Sequence, residues 1–168
     1  MVSFKTKGTF FRLYSWLPII VLIVSVLNEF DFNYLELKYF SFNFPFILIF
    51  FFTLKDSKHF DYLLVFLAGL INDTVVGLPL GISSLSYMLL CIATSYFRNI
   101  TIRPNPIKDW FYFLFIISLL NSINYSILTL FFSFNLILMS YLVNTFFTFL
   151  FYIIFVNIFK YYLKGLDD

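Results

Sequence analysis

The chain has 168 residues and a formal net charge of +2; 61% of the residues are apolar and only 12% are charged, giving a mean hydropathy of +0.92. No soluble domain of this size can carry so much apolar surface, so the composition predicts an integral membrane protein. The 27 Phe and 12 Tyr are spread through every apolar stretch, beside frequent Asn, Ile and Lys. That spread reads as lipid-facing filler and AT-rich coding, and predicts neither base stacking nor a nucleic-acid partner. One Cys, Cys91 inside an apolar run, and one His leave no internal disulfide and no zinc ligand set. No cofactor and no metal is expected.

Six apolar runs follow in chain order, at Leu13 to Leu27, Phe40 to Leu54, Tyr62 to Gly77, Ser83 to Phe97, Trp110 to Phe132 and Leu136 to Phe159. They predict an all-α membrane protein: a compact bundle of about six transmembrane helices forming one polytopic domain over residues 1–168. A spanning helix needs about 20 residues. The first four runs are shorter, so interfacial Tyr, Trp, Ser and Asn must complete their ends, or one pair does not fully cross. Lys5, Lys7 and Arg12 precede the first run as in a signal peptide, but SVLNEF offers no small-x-small cleavage site, and an uncleaved first helix is expected. Ten basic residues fall on one side of the alternation (Lys5, Lys7, Arg12, Lys55, Lys58, Arg98, Arg103, Lys108, Lys160 and Lys164), with Lys38 alone opposite. Both termini are thereby expected in the cytoplasm. The Asn28 to Tyr39 connection holds Glu29, Asp31 and Glu36. No connection is long enough to fold alone, and no enzyme is expected. Tyr62 to Phe97 either crosses twice or enters and returns as a re-entrant hairpin, since both arrangements deliver Arg98 to the same side.

Asp73 is the only carboxylate embedded in an apolar stretch. A helix from Tyr62 rising about 1.5 Å per residue puts it about 16 Å along, near the bilayer midplane. An ionised side chain there costs at least about 2.5 kcal/mol, and no Lys or Arg lies inside any span to neutralise it. Asp73 must therefore be protonated, hydrated or hydrogen-bonded within the bundle; a hydrated helix end at the outer interface is the plainer alternative. Its place in the last turn of a helix sets it against the macrodipole, so its own helix does not account for it. Gly69 and Gly77 lie four residues to either side, on one face, and predict close approach of another backbone. Gly77 can also end the helix in a left-handed conformation, Pro79 suits a tight turn or the first turn of the next helix, and Gly81 keeps that entry narrow.

Ala68 to Leu90, AGLINDTVVGLPLGISSLSYMLL, resembles the signature hairpin of the bacterial rod-shape-determining membrane protein family MreD, at Gly69, Asp73, Gly77 and Gly81. The resemblance covers about 25 residues, and the length and span number are compatible with it. It implies a non-enzymatic scaffold of the cell-elongation machinery in the inner membrane, concerned with cell shape and peptidoglycan synthesis. The implied partners are a single-span MreC-like protein, an MreB-like filament and a wall-synthesis transpeptidase or glycosyltransferase. It also implies a fold similar to the substrate-binding subunits of energy-coupling transporters, a likeness that does not transfer function.

Polar seams run along the later runs: Ser84, Tyr87, Cys91 and Thr94; then Ser118, Ser122, Tyr125 and Thr129, with Asn121 and Asn124 at the edge; then Ser140, Asn144 and Thr148. Such residues concentrate where helices touch one another. Internal packing, a partner helix and a polar cavity each account for them. Asn121 and Asn144 are candidate partners for Asp73. In RNITIRPNPIKD, Pro104 and Pro106 are expected to hold an extended connection whose Arg98, Arg103 and Lys108 attract anionic lipid or dock a cytoplasmic component. His59 is assigned no role. The alternative function is a small transporter or substrate-binding membrane subunit that uses Asp73 for a proton or a cationic ligand.

Overall fold

The computed structural model describes residues 22–23, 41–55, 62–101 and 105–167, with side chains described as far as Tyr161. Of the first predicted run only Leu22 and Ile23 are included, and both are helical. Lys5, Lys7, Arg12, Lys38, Lys58, His59, Arg103 and Pro104 lie outside the described residues, as does the side chain of Lys164.

Among the described residues the structure is all helical, with α1 at Phe44–Lys55, α2 at Tyr62–Val76, α3 at Ile82–Ile100, α4 at Pro106–Phe132 and α5 at Leu138–Asp167. These five match the last five predicted runs. The 27 residues of α4 and the 24 from Leu138 to Tyr161 in α5 are long and apolar enough to cross a bilayer. By contrast α1 and α2 are apolar but have 12 and 15 residues, each under the length of a full crossing. One predicted boundary fails for a local reason. Pro106 does not prolong an extended connection; it opens α4, where its missing N–H costs nothing, and the Asn105 side chain accepts the Ile107 N–H at 3.0 Å.

Helix α3 is the hub, packing against α1, α2 and α4, while α5 closes against α4 and α1. Apolar on every side, α1 has nowhere to go but the centre, and its residues from Pro45 to Thr53 are all buried. Its Phe50 ring sits 4.9 Å from Phe113 of α4 and 5.6 Å from Tyr152 of α5, making one aromatic core across three helices. Two polar handles fix the register around it. The Tyr112 hydroxyl donates to the Ala93 carbonyl at 2.9 Å, and Trp110, stacked on Phe149 at 4.2 Å, donates its Nε1–H to the Phe149 carbonyl at 3.0 Å.

The polarity of α3 is reversed relative to a helix on the surface of a water-soluble protein. Ser83, Ser84, Ser86 and Thr94 are buried, whereas Leu85, Leu89 and Ile92 point outward. The expected seam of Ser84, Tyr87, Cys91 and Thr94 is therefore an internal packing face. The seam on α4 is displaced from its expected role. Ser118 and Ser122 face outward, and the buried face runs instead through Phe113, Ile117, Leu120, Asn121 and Leu128. Ser140, Asn144 and Thr148 of α5 lean inward, and the Thr148 hydroxyl accepts the Asn43 N–H at 2.9 Å, tying α5 to the entry of α1.

The three-helix aromatic core should govern stability. Phe50→Ala opens a cavity that α1 cannot close and should cost about 3 kcal/mol or more, with Phe50→Leu costing clearly less. Thermal unfolding of the purified protein in mild detergent checks the order; equal midpoints for the two variants would remove Phe50 from the core role.

Candidate functional site

The candidate site is the hairpin that joins α2 to α3, and its geometry begins with how α2 ends. Gly77 adopts a left-handed conformation, φ +75°, and the Leu78 N–H turns back to the Asp73 carbonyl at 2.9 Å, a Schellman-type stop. Pro79 stands in the turn, its carbonyl accepting the Ile82 N–H at 3.4 Å, and does not enter the next helix. Gly81, φ +105°, is the N-cap of α3 and has no side chain with which to cap it.

Asp73 supplies that cap from the preceding helix. One carboxyl oxygen, Oδ2, accepts the Gly81 N–H at 2.7 Å, and the other, Oδ1, accepts the Ser83 N–H at 2.9 Å. The residue is fully buried, at 0% exposure, so it is not a hydrated helix end. The macrodipole problem posed by its own helix is also resolved: the carboxyl group lies at the positive N-terminus of α3, where unpaired N–H groups need an acceptor. Asn121 and Asn144 are not its partners. Asn121 donates to Thr145 Oγ1 at 2.7 Å and Asn144 donates to Ser41 Oγ at 3.0 Å, because backbone eight and ten residues downstream reaches Asp73 first.

The glycines divide their labour. A Cβ on Gly69 would fall on Ser84 Cα and within 2.6 Å of Ser84 N, so α2 and α3 touch backbone to backbone there. Gly77 and Gly81 have open space around them and are required by their positive φ, so the expected packing role of Gly77 is replaced by a conformational one. Ser83 and Ser84, which complete the hairpin, were not singled out as partners from the sequence. Ser83 Oγ accepts from Asn72 Nδ2 at 2.9 Å, and Ser84 Oγ donates to the Phe66 carbonyl at 3.1 Å. Their signal is a Ser-Ser pair beginning two residues after the Gly81 cap, where α3 still has free N–H groups.

Beside the hairpin lies a cavity of about 420 Å³, lined by Asn72 and Ser83 from the hairpin and by Asn121, Asn124 and Asn144 from α4 and α5. Its described lining has amides and hydroxyls but no charged side chain, and Asp73 is not part of it. At the opposite end of the helices Arg98 lines a second cavity, while Lys108 faces outward from the first turn of α4. No family model, curated protein or solved structure matches the chain.

Both carboxyl oxygens of Asp73 accept from N–H donors, so an amide is an imperfect replacement: its NH₂ must confront one donor. Asp73→Asn should cost about 1–3 kcal/mol, and Asp73→Leu, which leaves both N–H groups buried and unmet, about twice that. Unfolding midpoints in detergent would rank the two; equal loss would deny the double acceptor its role. Gly69→Ala should likewise cost about 1–3 kcal/mol by forcing the helices apart. Gly69→Ser should be worse still, since the added atom meets the same backbone. An unchanged midpoint for Gly69→Ala would mean that the contact yields freely.

Proposed function

We propose that the chain is a multi-pass protein of the bacterial inner membrane, a bundle of about six helices with both termini cytoplasmic, and a non-enzymatic scaffold of the MreD kind. Support for the membrane reading comes from α3, whose hydroxyls face the bundle and whose Leu and Ile side chains face outward, an arrangement stable against lipid and unstable against water. In this reading the short α1 and α2 are completed at their ends by interfacial residues, with local thinning of the bilayer.

The observation that carries the scaffold reading is the occupation of Asp73. Its two oxygens are spent on the Gly81 and Ser83 N–H groups, it is fully buried, and it lines neither of the two cavities described, so it serves the shape of the hairpin. A rigid hairpin can hold partner helices in register. The outward Ser118 and Ser122 of α4 offer small hydroxyl residues on a lipid-facing surface, the chemistry that a partner helix uses to approach closely. The partners in this reading are an MreC-like single-span protein and, through it, wall-synthesis enzymes and an MreB-like filament.

A second reading, a substrate-binding membrane subunit, is favoured by one feature, the uncharged cavity lined by Asn72, Asn121, Asn124 and Asn144. Its ligand would be neutral and polar, and Asp73 would act only through the hairpin.

The two readings separate in an affinity capture of the tagged protein from gently solubilised native membranes. The scaffold predicts recovery of a single-span coiled-coil protein and wall-synthesis enzymes. Recovery should fall at least about fivefold for Ser118→Phe/Ser122→Phe, whose substitutions face away from the core and leave the unfolding midpoint in place. ATPase subunits in the eluate, or a small neutral molecule retained by the protein alone, would replace the scaffold by transport.

A further inference from the structure

At the end of the bundle away from the hairpin, α1 and α3 finish, α4 begins and α5 runs alongside, and together they line an open cavity of about 750 Å³. Its walls combine two chemistries. Leu54, Ile153 and Val156 give it apolar surface, while the exposed Lys55 and Lys160 stand at its rim and the half-buried Arg98 is among its lining. Lys55 and Arg98 belong to the last turns of their helices. The one carboxylate among its described lining residues is Asp109, whose charge is felt by that of Lys160.

We propose that this cavity binds one anionic phospholipid, with the phosphate held by Lys55 and Lys160 and the upper part of an acyl chain lying against Leu54, Ile153 and Val156. Even without Arg98, two lysines against one carboxylate leave the described lining net positive, so an anionic head is favoured over a zwitterionic one. The apolar body gives a free phosphate ion nothing to bind and gives an acyl chain a place out of water. Helix ends rich in Lys, Arg and Trp mark the level of lipid headgroups, so the phosphates of the adjoining leaflet stand at the height of this rim. The uncharged cavity at the hairpin end has none of these cations, so one leaflet is selected. The inference rests on the membrane reading and is independent of the scaffold.

The test is native mass spectrometry of the full-length protein released from a neutral detergent containing equal phosphatidylglycerol and phosphatidylcholine of the same acyl chains. One phosphatidylglycerol should be retained with a preference of about tenfold or more, at roughly a few-fold per lysine or arginine. Lys55→Gln/Lys160→Gln should bring that preference to within about twofold, and Ile153→Trp, which fills the cavity without changing charge, should reduce retention of both lipids. Lys108→Gln removes a cation at the same end but outside the cavity, and should leave the preference intact. Equal retention of the two lipids, an equal effect of Lys108→Gln, or displacement of the lipid by inorganic phosphate alone would each overturn the site. Alkaline extraction of native membranes keeps the two failures apart: a protein that extracts is not embedded at all, whereas one that stays embedded without discriminating lipids lacks only this site.

Discussion

A helix whose first turn is buried has no water to satisfy its first N–H groups, and those groups must be met by protein or the helix cannot start there. For α3 the need is acute, since its N-cap is Gly81, which has no side chain. Asp73 meets the need from the last turn of α2 with both carboxyl oxygens. The other features of the hairpin follow from this pair of bonds. The chain must reverse within Gly77 to Gly81, which demands positive φ at both glycines. The two helices must also leave the turn nearly in contact, which demands a residue without a Cβ at Gly69. Because α3 also packs against α1 and α4, an error in its starting direction would be felt across the bundle.

Part of this was legible in the sequence, and the limit has a physical cause. An isolated carboxylate in an apolar run signals a hydrogen-bonding need without naming the donor. Side-chain amides were the natural guess, and Asn121 and Asn144 have the right chemistry. Their true partners, Thr145 and Ser41, could not be read because they depend on how α4, α5 and the entry of α1 meet in space. Backbone donors leave no mark of their own on the sequence; the Gly-Ile-Ser-Ser start of α3 is the one local sign of a helix end that needs a cap. The same distinction applies to the seams. Alternating three- and four-residue spacing placed Ser84, Tyr87, Cys91 and Thr94 on one face correctly, and that face is buried. It also placed Ser118 and Ser122 on one face, but spacing alone cannot tell whether a face points inward, and on α4 it points out.

Helix boundaries show the same division between local and nonlocal control. The C-terminal end of α2 was readable because Gly77 dictates it through its own backbone preference. The start of α4 was misjudged by four residues because proline has two opposite local meanings, a breaker of helices and a good first residue of one. What decides between them here is Asn105, whose side chain caps the helix that Pro106 opens. A proline preceded by Asn and followed by an acidic first turn, as at Asp109, should be weighed as a helix start wherever it meets an apolar run.

The two ends of the bundle are chemically unlike, and the difference grows from the same hairpin. Once Asp73 is consumed by α3, the hairpin end presents amides and hydroxyls without charge around its cavity. The described cations gather at the other, where Lys55, Arg98 and Lys160 line a cavity together with apolar side chains. An embedded carboxylate available at the hairpin would have given that end a fixed field able to attract cations or hold a proton. Its internal use leaves the exposed described charges, Lys55, Lys108 and Lys160 among them, at the other end. The bundle is thereby polarised along its helices, with three cations and one carboxylate around the cavity at one end, and in the proposed membrane setting such an asymmetry is the condition for telling one face of a bilayer from the other.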